Sequence, residues 1–123
     1  MGVAIQVLMK IGCSSMVLWE HYLNAQVSHN MPLDKAYLLW LREALEFTQK
    51  HKFDFLEVVI ESPLNTTATD ECIRLCNKYN FPKTIHAPFI ENNILCKDEF
   101  LRKGSVDEIL TTMEIAKQIR AEA

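Results

Sequence analysis

Short apolar segments alternate with longer segments of helical periodicity, and this alternation constrains the fold of the 123 residues more than any other feature. The first predicted strand lies within IQVLMKIGCSSM (residues 5–16) and ends near Gly12. The second is FDFLEVVIE (53–61), and a short third strand covers 83–86. Helical crossovers between successive strands favour parallel pairing and right-handed connections. The sequence therefore predicts an α/β fold in the order β-α-β-α-β-α, with residues 1–123 as a single domain.

Two of the intervening helices are predicted from their periodicity and caps. Residues 34–51 repeat apolar side chains at helical spacing on one face and charges on the other. A second helix, about 70–80, has Thr67 or Thr69 as its N-cap and ends before Pro82. The apolar positions are Leu38, Leu41, Ala44, Leu45 and Phe47 in the first helix, and Ile73, Cys76 and Tyr79 in the second.

The third helix is predicted to begin at a capping box, Ser105-Val-Asp-Glu108. In such a box the serine hydroxyl and the glutamate carboxylate satisfy N–H groups at the start of the helix. The side chains expected to form the buried stripe of this helix are Val106, Ile109, Met113, Ala116 and Ile119.

The second predicted strand has two different faces. Leu56, Val58 and Ile60 point one way, so that face is suited to packing under helices. The opposite face carries Glu57 and Glu61, and a buried carboxylate needs a partner, water or a ligand. For Glu57, which lies deeper, an internal ion pair is the favoured interpretation, without an identifiable partner.

Two ionisable residues end neighbouring strands, Glu61 the second strand and His86 the third. In parallel α/β proteins, functional sites form at the carboxyl ends of the strands. We therefore expect the two side chains to converge on one rim of the sheet. A structural role remains open for each of them: His86 as a residue that bonds a backbone carbonyl, and Glu61 as a solvated strand end.

Composition limits the classes of function. The net charge is −3 with mixed signs along the chain, which disfavours a nucleic-acid binder. No run of about 18 apolar residues occurs, so no membrane span is predicted. The four cysteines form no C-x-x-C pair, and we expect free thiols in a reducing cytoplasm. Cys72 and Cys76, four residues apart, are interpreted as buried small side chains rather than as half of a metal site.

The chain resembles the xylose isomerase-like TIM barrels in three segments taken together: FDFLEVVIE, IHAPFIENNIL and RKGSVDEILTTMEIAKQI. That superfamily includes sugar and sugar phosphate isomerases and epimerases, and the endonuclease IV type of apurinic-site nuclease. A full TIM barrel has eight β-α units in about 250 residues, whereas three units are predicted here. The resemblance implies the N-terminal three units of such a barrel, as a fragment, a truncated gene product or an unusually small relative.

The resemblance also implies site residues. His86 is similar in position to a zinc ligand of the endonuclease branch, and the asparagine of that branch's motif falls on Asn92. With Glu61 as the catalytic candidate, the expected site holds a divalent metal of the Zn, Mn or Mg type, provided that the full barrel is present. The expected partner is a sugar or sugar phosphate, together with self-association or a missing C-terminal part that covers the exposed sheet edge.

Three functions remain open at this point. The first is the N-terminal fragment of a metal-dependent sugar or sugar phosphate isomerase or epimerase, inactive alone. The second is an apurinic-site endonuclease IV-like hydrolase, and the third is a non-catalytic half-barrel scaffold or assembly module. His21 and His29, in the long connection 17–33, and Arg102, before the third helix, are interpreted as surface residues.

Overall fold

A three-stranded sheet organises the molecule, which a computed structural model describes for residues 9–18, 30–60, 64–88 and 92–122. The strand order is β1-β2-β3, and both pairings are parallel. The predicted β-α-β-α-β-α order with parallel strands is confirmed. The elements are β1 (Gly12–Ser14), α1 (Leu33–Lys50), β2 (Phe55–Val59), α2 (Thr66–Asn77), β3 (Lys83–His86) and α3 (Glu99–Gln118).

α1 agrees with its predicted span of 34–51 to within one residue. Its buried face includes Trp40, Leu41 and Leu45, each no more than 2% exposed, and this face packs against the sheet. The helix ends at a left-handed residue, Lys52, whose φ is 56°. A hydrogen bond of 3.1 Å from Phe53 N to Thr48 O closes this turn, which is the Schellman arrangement without the usual glycine.

β2 has the two-faced character that its sequence predicts. Leu56 and Val58 are fully buried under the helices, and Ile60, which follows the strand, is 2% exposed. We call this side of the sheet the helix face and the opposite side the inner face. The strand is shorter than the predicted 53–61, and Glu61 lies outside the described residues.

β1 does not end near Gly12, as predicted, but begins there and runs to Ser14. A 3₁₀ turn follows at Ser15–Leu18. The cause is a side chain: Val59 N donates to the Ser15 hydroxyl at 3.0 Å, which satisfies an N–H that a longer β1 would have paired. Gly12 is needed because a Cβ there would lie 2.1 Å from the ring of Phe55.

α2 begins at Thr66, earlier than the predicted 70, and the prediction of Thr67 or Thr69 as its N-cap was wrong. Asn65 is the cap, and its Oδ1 accepts a hydrogen bond of 2.8 Å from Ala68 N. Asparagine is as good an N-cap as threonine, so the local sequence did not decide between them. Cys72 and Cys76 lie on the buried face of this helix, as expected, and both are free thiols.

α3 begins at Glu99, and the prediction that it begins at Ser105 was also wrong. Asp98 caps it by accepting a hydrogen bond of 3.0 Å from Leu101 N. Ser105 lies within the helix, where its hydroxyl donates to Leu101 O at 3.0 Å. A serine that bonds back to the preceding turn fits a helix interior, so the capping-box pattern was misleading here.

The buried stripe of α3 differs from the prediction as well. Ser105, Thr112 and Ile115 face the core, together with Ile119 just beyond the helix. Of the five residues predicted for the stripe only Ile119 is buried, whereas Val106 is 41% and Met113 61% exposed. The apolar positions of α3 therefore include a second, outward side, formed by Val106, Leu110 and Met113, which we call the outer stripe.

No helix in the described ranges combines the length and the apolar character that crossing a membrane requires.

Candidate functional site

A polar row crosses the inner face of the sheet. The register pairs Ser14 with Glu57, and Glu57 with Thr84, so three neighbouring strands each place a polar side chain on the same face. The Ser14 hydroxyl donates to Glu57 Oε1 at 2.9 Å. This contact supplies a partner that the sequence did not reveal for Glu57, a hydroxyl, and no ion pair of Glu57 is found among the described residues.

The ring of Phe55 lies below this row, over Gly12 on the neighbouring strand. It forms the lower layer of the inner face. Above the row, toward the carboxyl ends of the strands, the register pairs Val59 with His86. Along the strands, the inner face therefore carries the Phe55 ring first, then the polar row, and then the imidazole of His86 at the rim. In parallel α/β sheets, functional sites lie at this rim.

His86 lies at the rim as predicted, as the last residue of β3. Its side chain is half-buried, and Nδ1 lies 2.9 Å from Ala87 O. A carbonyl only accepts, so this contact places the proton on Nδ1 and, in the neutral ring, the lone pair on Nε2. Metal-ligating histidines are commonly oriented by a hydrogen bond of this kind from the other ring nitrogen.

Glu61, the catalytic candidate, lies outside the described residues, so its convergence with His86 stays a prediction. Two observations bear on it: β2 and β3 are parallel, and Ile60 N donates to His86 O at 3.1 Å. The residue before Glu61 is therefore hydrogen-bonded to His86.

Asn92, the substrate-binding candidate, is half-buried in the segment between β3 and α3. Two hydrogen bonds hold this segment against α3, one on each side of a short turn. Asn93 N donates to the Ser105 hydroxyl at 2.9 Å, and Arg102 Nη1 donates to Cys96 O at 2.8 Å. Arg102 thus tethers the loop that carries Asn92 and is more than a solvated charge.

Buried hydrogen bonds brace the carboxyl end of β2 from the α1 side. The Tyr37 hydroxyl donates to Val59 O at 3.1 Å, and Trp40 Nε1 donates to Ser15 O at 2.7 Å. With the bond from Val59 N to the Ser15 hydroxyl, both backbone groups of Val59 are satisfied by side chains. Val59 is the register partner of His86, so this network also fixes the strand beside the imidazole.

Lys83 begins β3 at the end of the strand opposite His86, and its side chain belongs to the helix face. It is 5% exposed, with Nζ bonded to Tyr79 O and 5.0 Å from the centroid of the Phe81 ring. Burial lowers the pKa of Lys83. Because it lies away from the rim and is held by backbone and ring contacts, we assign it a structural role.

A complete metal site is not present in the part of the chain that the structure describes, where no three His, Cys, Asp or Glu side chains form a group. Cys72 and Cys76 are enclosed in the core, and the hydrogen bond that the Cys76 thiol donates to Cys72, together with burial, raises the pKa of Cys76. A neutral buried thiol is a poor ligand. His86, the predicted metal ligand, lies within the described residues, whereas His21 and His29, which were interpreted as surface residues, lie outside them.

Ser14 and Thr84 were missed by the sequence analysis. The one available signal was the carboxylate of Glu57 on a strand, which requires a polar neighbour. Identifying that neighbour requires the register of β1 against β2, and the contact joins residues 43 positions apart.

Comparisons with known proteins give a structural match. No protein-family model matches the chain, and no curated protein matches it by sequence. Among solved structures, it is similar to a D-tagatose 3-epimerase-like protein, with a TM-score of 0.60 and 25% sequence identity. The match covers 93% of this chain and 36% of that protein, so the chain spans about a third of the length of the structure it resembles. The three β-α units described above thus match part of a TIM-barrel fold.

Proposed function

We propose that this chain forms the N-terminal three β-α units of a metal-dependent sugar or sugar phosphate isomerase or epimerase, and that these units have no turnover alone. The fold supports the proposal, because the similar structure is an epimerase-like barrel of which the chain covers 36%. The geometry of His86 carries the chemical part. Its ring lies at the rim with Nδ1 2.9 Å from Ala87 O, and in the proposal Nε2 would be the atom that ligates the metal.

In this proposal each candidate has a separate role. A divalent metal of the Zn, Mn or Mg type, bound at the rim of the full barrel, would polarise the carbonyl and hydroxyl of a sugar. His86 supplies one ligand, and the remaining ligands come from outside the described residues. Glu61 moves a proton next to the carbonyl, and Asn92 orients the substrate on the loop that Arg102 tethers.

The endonuclease alternative is less well supported. Phosphate-backbone binding requires clustered Lys and Arg side chains, whereas this chain has 13 basic against 16 acidic residues. The similar structure is also that of an epimerase-like protein, not of a nuclease. The cytoplasm remains the proposed compartment, on the ground of the free thiols at Cys13, Cys72, Cys76 and Cys96.

Manganese titration of the ¹⁵N-labelled chain tests the role of His86. We expect millimolar Mn²⁺ to broaden the amide signals of Ala87 and Val59, because paramagnetic relaxation falls steeply with distance from the ion. His86→Ala should abolish this broadening. His51→Ala is the matched control, since His51 is an exposed histidine at the end of α1. Broadening that persists in His86→Ala, or none at the rim of the wild type, would remove His86 as a ligand and favour the scaffold.

Activity assays test the other half of the proposal. The purified chain, incubated with D-tagatose and other ketohexoses in the presence of Mn²⁺, Mg²⁺ or Zn²⁺, should show no product by chromatography. Metal-dependent turnover by these 123 residues would contradict the statement that three units are insufficient.

A further inference from the structure

A small cavity lies on the helix face of the sheet, between α2 and α3, where β2 and β3 end, and its volume is about 140 Å³. Its floor is apolar and buried: Ile60 is 2% exposed, Ile115 is 4% exposed, and Pro88 lies beside them. An apolar cavity of about 150 Å³ holds one benzene molecule. The cavity is therefore large enough for a small aliphatic group.

Three threonine hydroxyls line the walls of the cavity, and each already donates its hydrogen to a helix carbonyl. Thr69 Oγ1 donates to Asn65 O at 2.9 Å. Thr111 Oγ1 and Thr112 Oγ1 each donate at 2.9 Å to the carbonyl four residues before them in α3. Because a hydroxyl has one hydrogen and two lone pairs, these oxygens can only accept a further hydrogen bond.

Backbone N–H groups beside the cavity are used as well. Ile60 N donates to His86 O at 3.1 Å. Thr69 N donates to Asn65 O at 2.9 Å, and Pro88 has no N–H. The lining residues of α3 lie inside the helix, where each N–H is bonded to the carbonyl four residues before it. The groups that remain for a ligand at these residues are therefore acceptors.

Two carboxylates, Asp107 and Glu108, give the mouth of the cavity its charge. The sequence predicted that Glu108 caps α3, but the helix begins at Glu99, so the N–H of Ser105 is not free for it. Neither carboxylate has a hydrogen bond or an ion pair with another residue that the structure describes. Lys103, one turn before Asp107, pairs with Glu99 at 3.0 Å instead.

We propose that this cavity binds a small aliphatic ammonium ion. The alkyl chain lies on the floor of Ile60 and Ile115, and the ammonium group donates to the carboxylates of Asp107 and Glu108 and to the Thr111 hydroxyl. An ammonium has three donors and no acceptor, which complements a lining whose polar groups only accept. Its hydrogen bonds to carboxylates are charge-assisted and so stronger than those of a neutral donor. The site lies on the helix face, away from the polar row of the inner face.

Titration of the ¹⁵N-labelled chain with n-butylammonium, at constant ionic strength, tests the proposal. We expect saturable shifts of the amide signals of Thr69 on α2 and Thr112 on α3, which lie on two walls of the cavity. n-Butanol has the same alkyl chain without the charge, and we expect it to bind at least about tenfold more weakly.

A third ligand identifies the source of the ammonium group. Nα-acetyl-lysine methylamide carries the same alkylammonium on a peptide backbone. Tighter binding of this compound than of n-butylammonium assigns the cavity to a lysine side chain of a partner protein, and weaker binding assigns it to a free amine. Both results support recognition of an alkylammonium.

Three variants separate the cavity from general surface charge. Asp107→Asn combined with Glu108→Gln keeps the shape of both side chains and should weaken n-butylammonium binding at least about tenfold. Thr111→Val removes one acceptor at an exposed position and should weaken it by about 2–10-fold. Glu114→Gln is the matched control, because Glu114 is an exposed acid of α3 outside the cavity, and its affinity should be unchanged.

Three results would overturn the proposal. The first is the absence of saturable shifts at Thr69 and Thr112, and the second is equal affinity for n-butanol. The third is an equal loss in Glu114→Gln and in the double variant, since surface charge alone would then explain the binding. Unchanged amide signals in β1 and β2 verify that each variant is folded. None of these outcomes bears on manganese binding at His86, so the proposed function is tested separately.

Discussion

The region of the sheet beside α1 and the region beside α3 differ in how far their backbone hydrogen-bonding groups are satisfied. On the α1 side, buried side chains of Ser15, Tyr37 and Trp40 satisfy the backbone where the β1–β2 ladder ends. On the α3 side, the edge of β3 carries a single hydrogen bond from Glu122 among the described residues, next to an exposed apolar stripe.

The helices show the same contrast. The buried residues of α1 are Ala36, Tyr37, Trp40, Leu41, Ala44, Leu45 and Thr48, whereas those of α3 are Ser105, Thr112 and Ile115. Two of the three in α3 are hydroxyl side chains that bond back to their own helix. Because α1 buries more side chains than α3, we conclude that packing around α1 contributes more to the free energy of folding than packing around α3.

The largest effect is expected for Trp40→Ala. Trp40 is 2% exposed, donates to Ser15 O and packs edge-on against Tyr37 at 5.6 Å. Removing a buried aromatic side chain costs about 3–5 kcal/mol in the free energy of unfolding, which is a large part of the stability of a small domain. Urea denaturation followed by circular dichroism measures it. A loss below about 1 kcal/mol would show that the α1 side is not the stabilised one.

A smaller loss is expected for Ser15→Ala. This change leaves the buried N–H of Val59 without its acceptor, and an unsatisfied buried donor costs about 1–3 kcal/mol. Ser14→Ala is the matched control: Ser14 is half-buried, and water can replace its bond to Glu57, so we expect about 1 kcal/mol or less. If the two variants unfold at the same urea concentration, the hydrogen bond from Val59 N to Ser15 contributes no more to stability than the bond between Ser14 and Glu57.

The smallest effect is expected for Leu110→Ala on the α3 side. Leu110 is 55% exposed, and substitutions at such positions change stability by no more than about 0.5 kcal/mol. The same urea measurement checks it. A loss above about 1 kcal/mol would mean that the outer stripe is already packed in the isolated chain, and the contrast between the two sides would disappear.

The sequence predicted those parts of the fold whose patterns are long or whose chemistry is local. α1 has five turns of consistent periodicity, and β2 alternates between aliphatic and acidic side chains, so both were located well. β3 was predicted with its observed bounds because Pro82 and Pro88 delimit it. The parallel order followed from the crossover helices and is confirmed.

The errors have physical causes as well. β1 has three residues, too few for alternation to show, and a serine hydroxyl from outside the strand ends it. The capping-box pattern placed the start of α3 at Ser105, whereas the hydroxyl of Ser105 bonds Leu101 O and accepts from Asn93 N, a tertiary contact that no local pattern encodes. Its outer stripe was mistaken for the core because periodicity reports an apolar face without saying what covers it.

The sequence predicted where the candidate site lies in the fold, but not the hydrogen-bond partners of its side chains. His86 was located at the rim from strand order alone, and a bond to a backbone carbonyl was one of the two roles left open for it, whereas Ala87 as the partner is known only from the structure. The pairing of Ser14 with Glu57 depends on long-range register, which no local pattern encodes.

The reciprocal hydrogen bonds between Asp54 and Ile11 influence which mutations the chain can tolerate during evolution. Asp54 N donates to Ile11 O, and Ile11 N donates to Asp54 Oδ2 at 2.6 Å, so the alignment of β1 with β2 is set at the end opposite His86. Mutations around the imidazole can therefore accumulate without shifting one strand past the other. A lineage built on this plan can vary the side chains at the rim while inheriting its strand alignment intact.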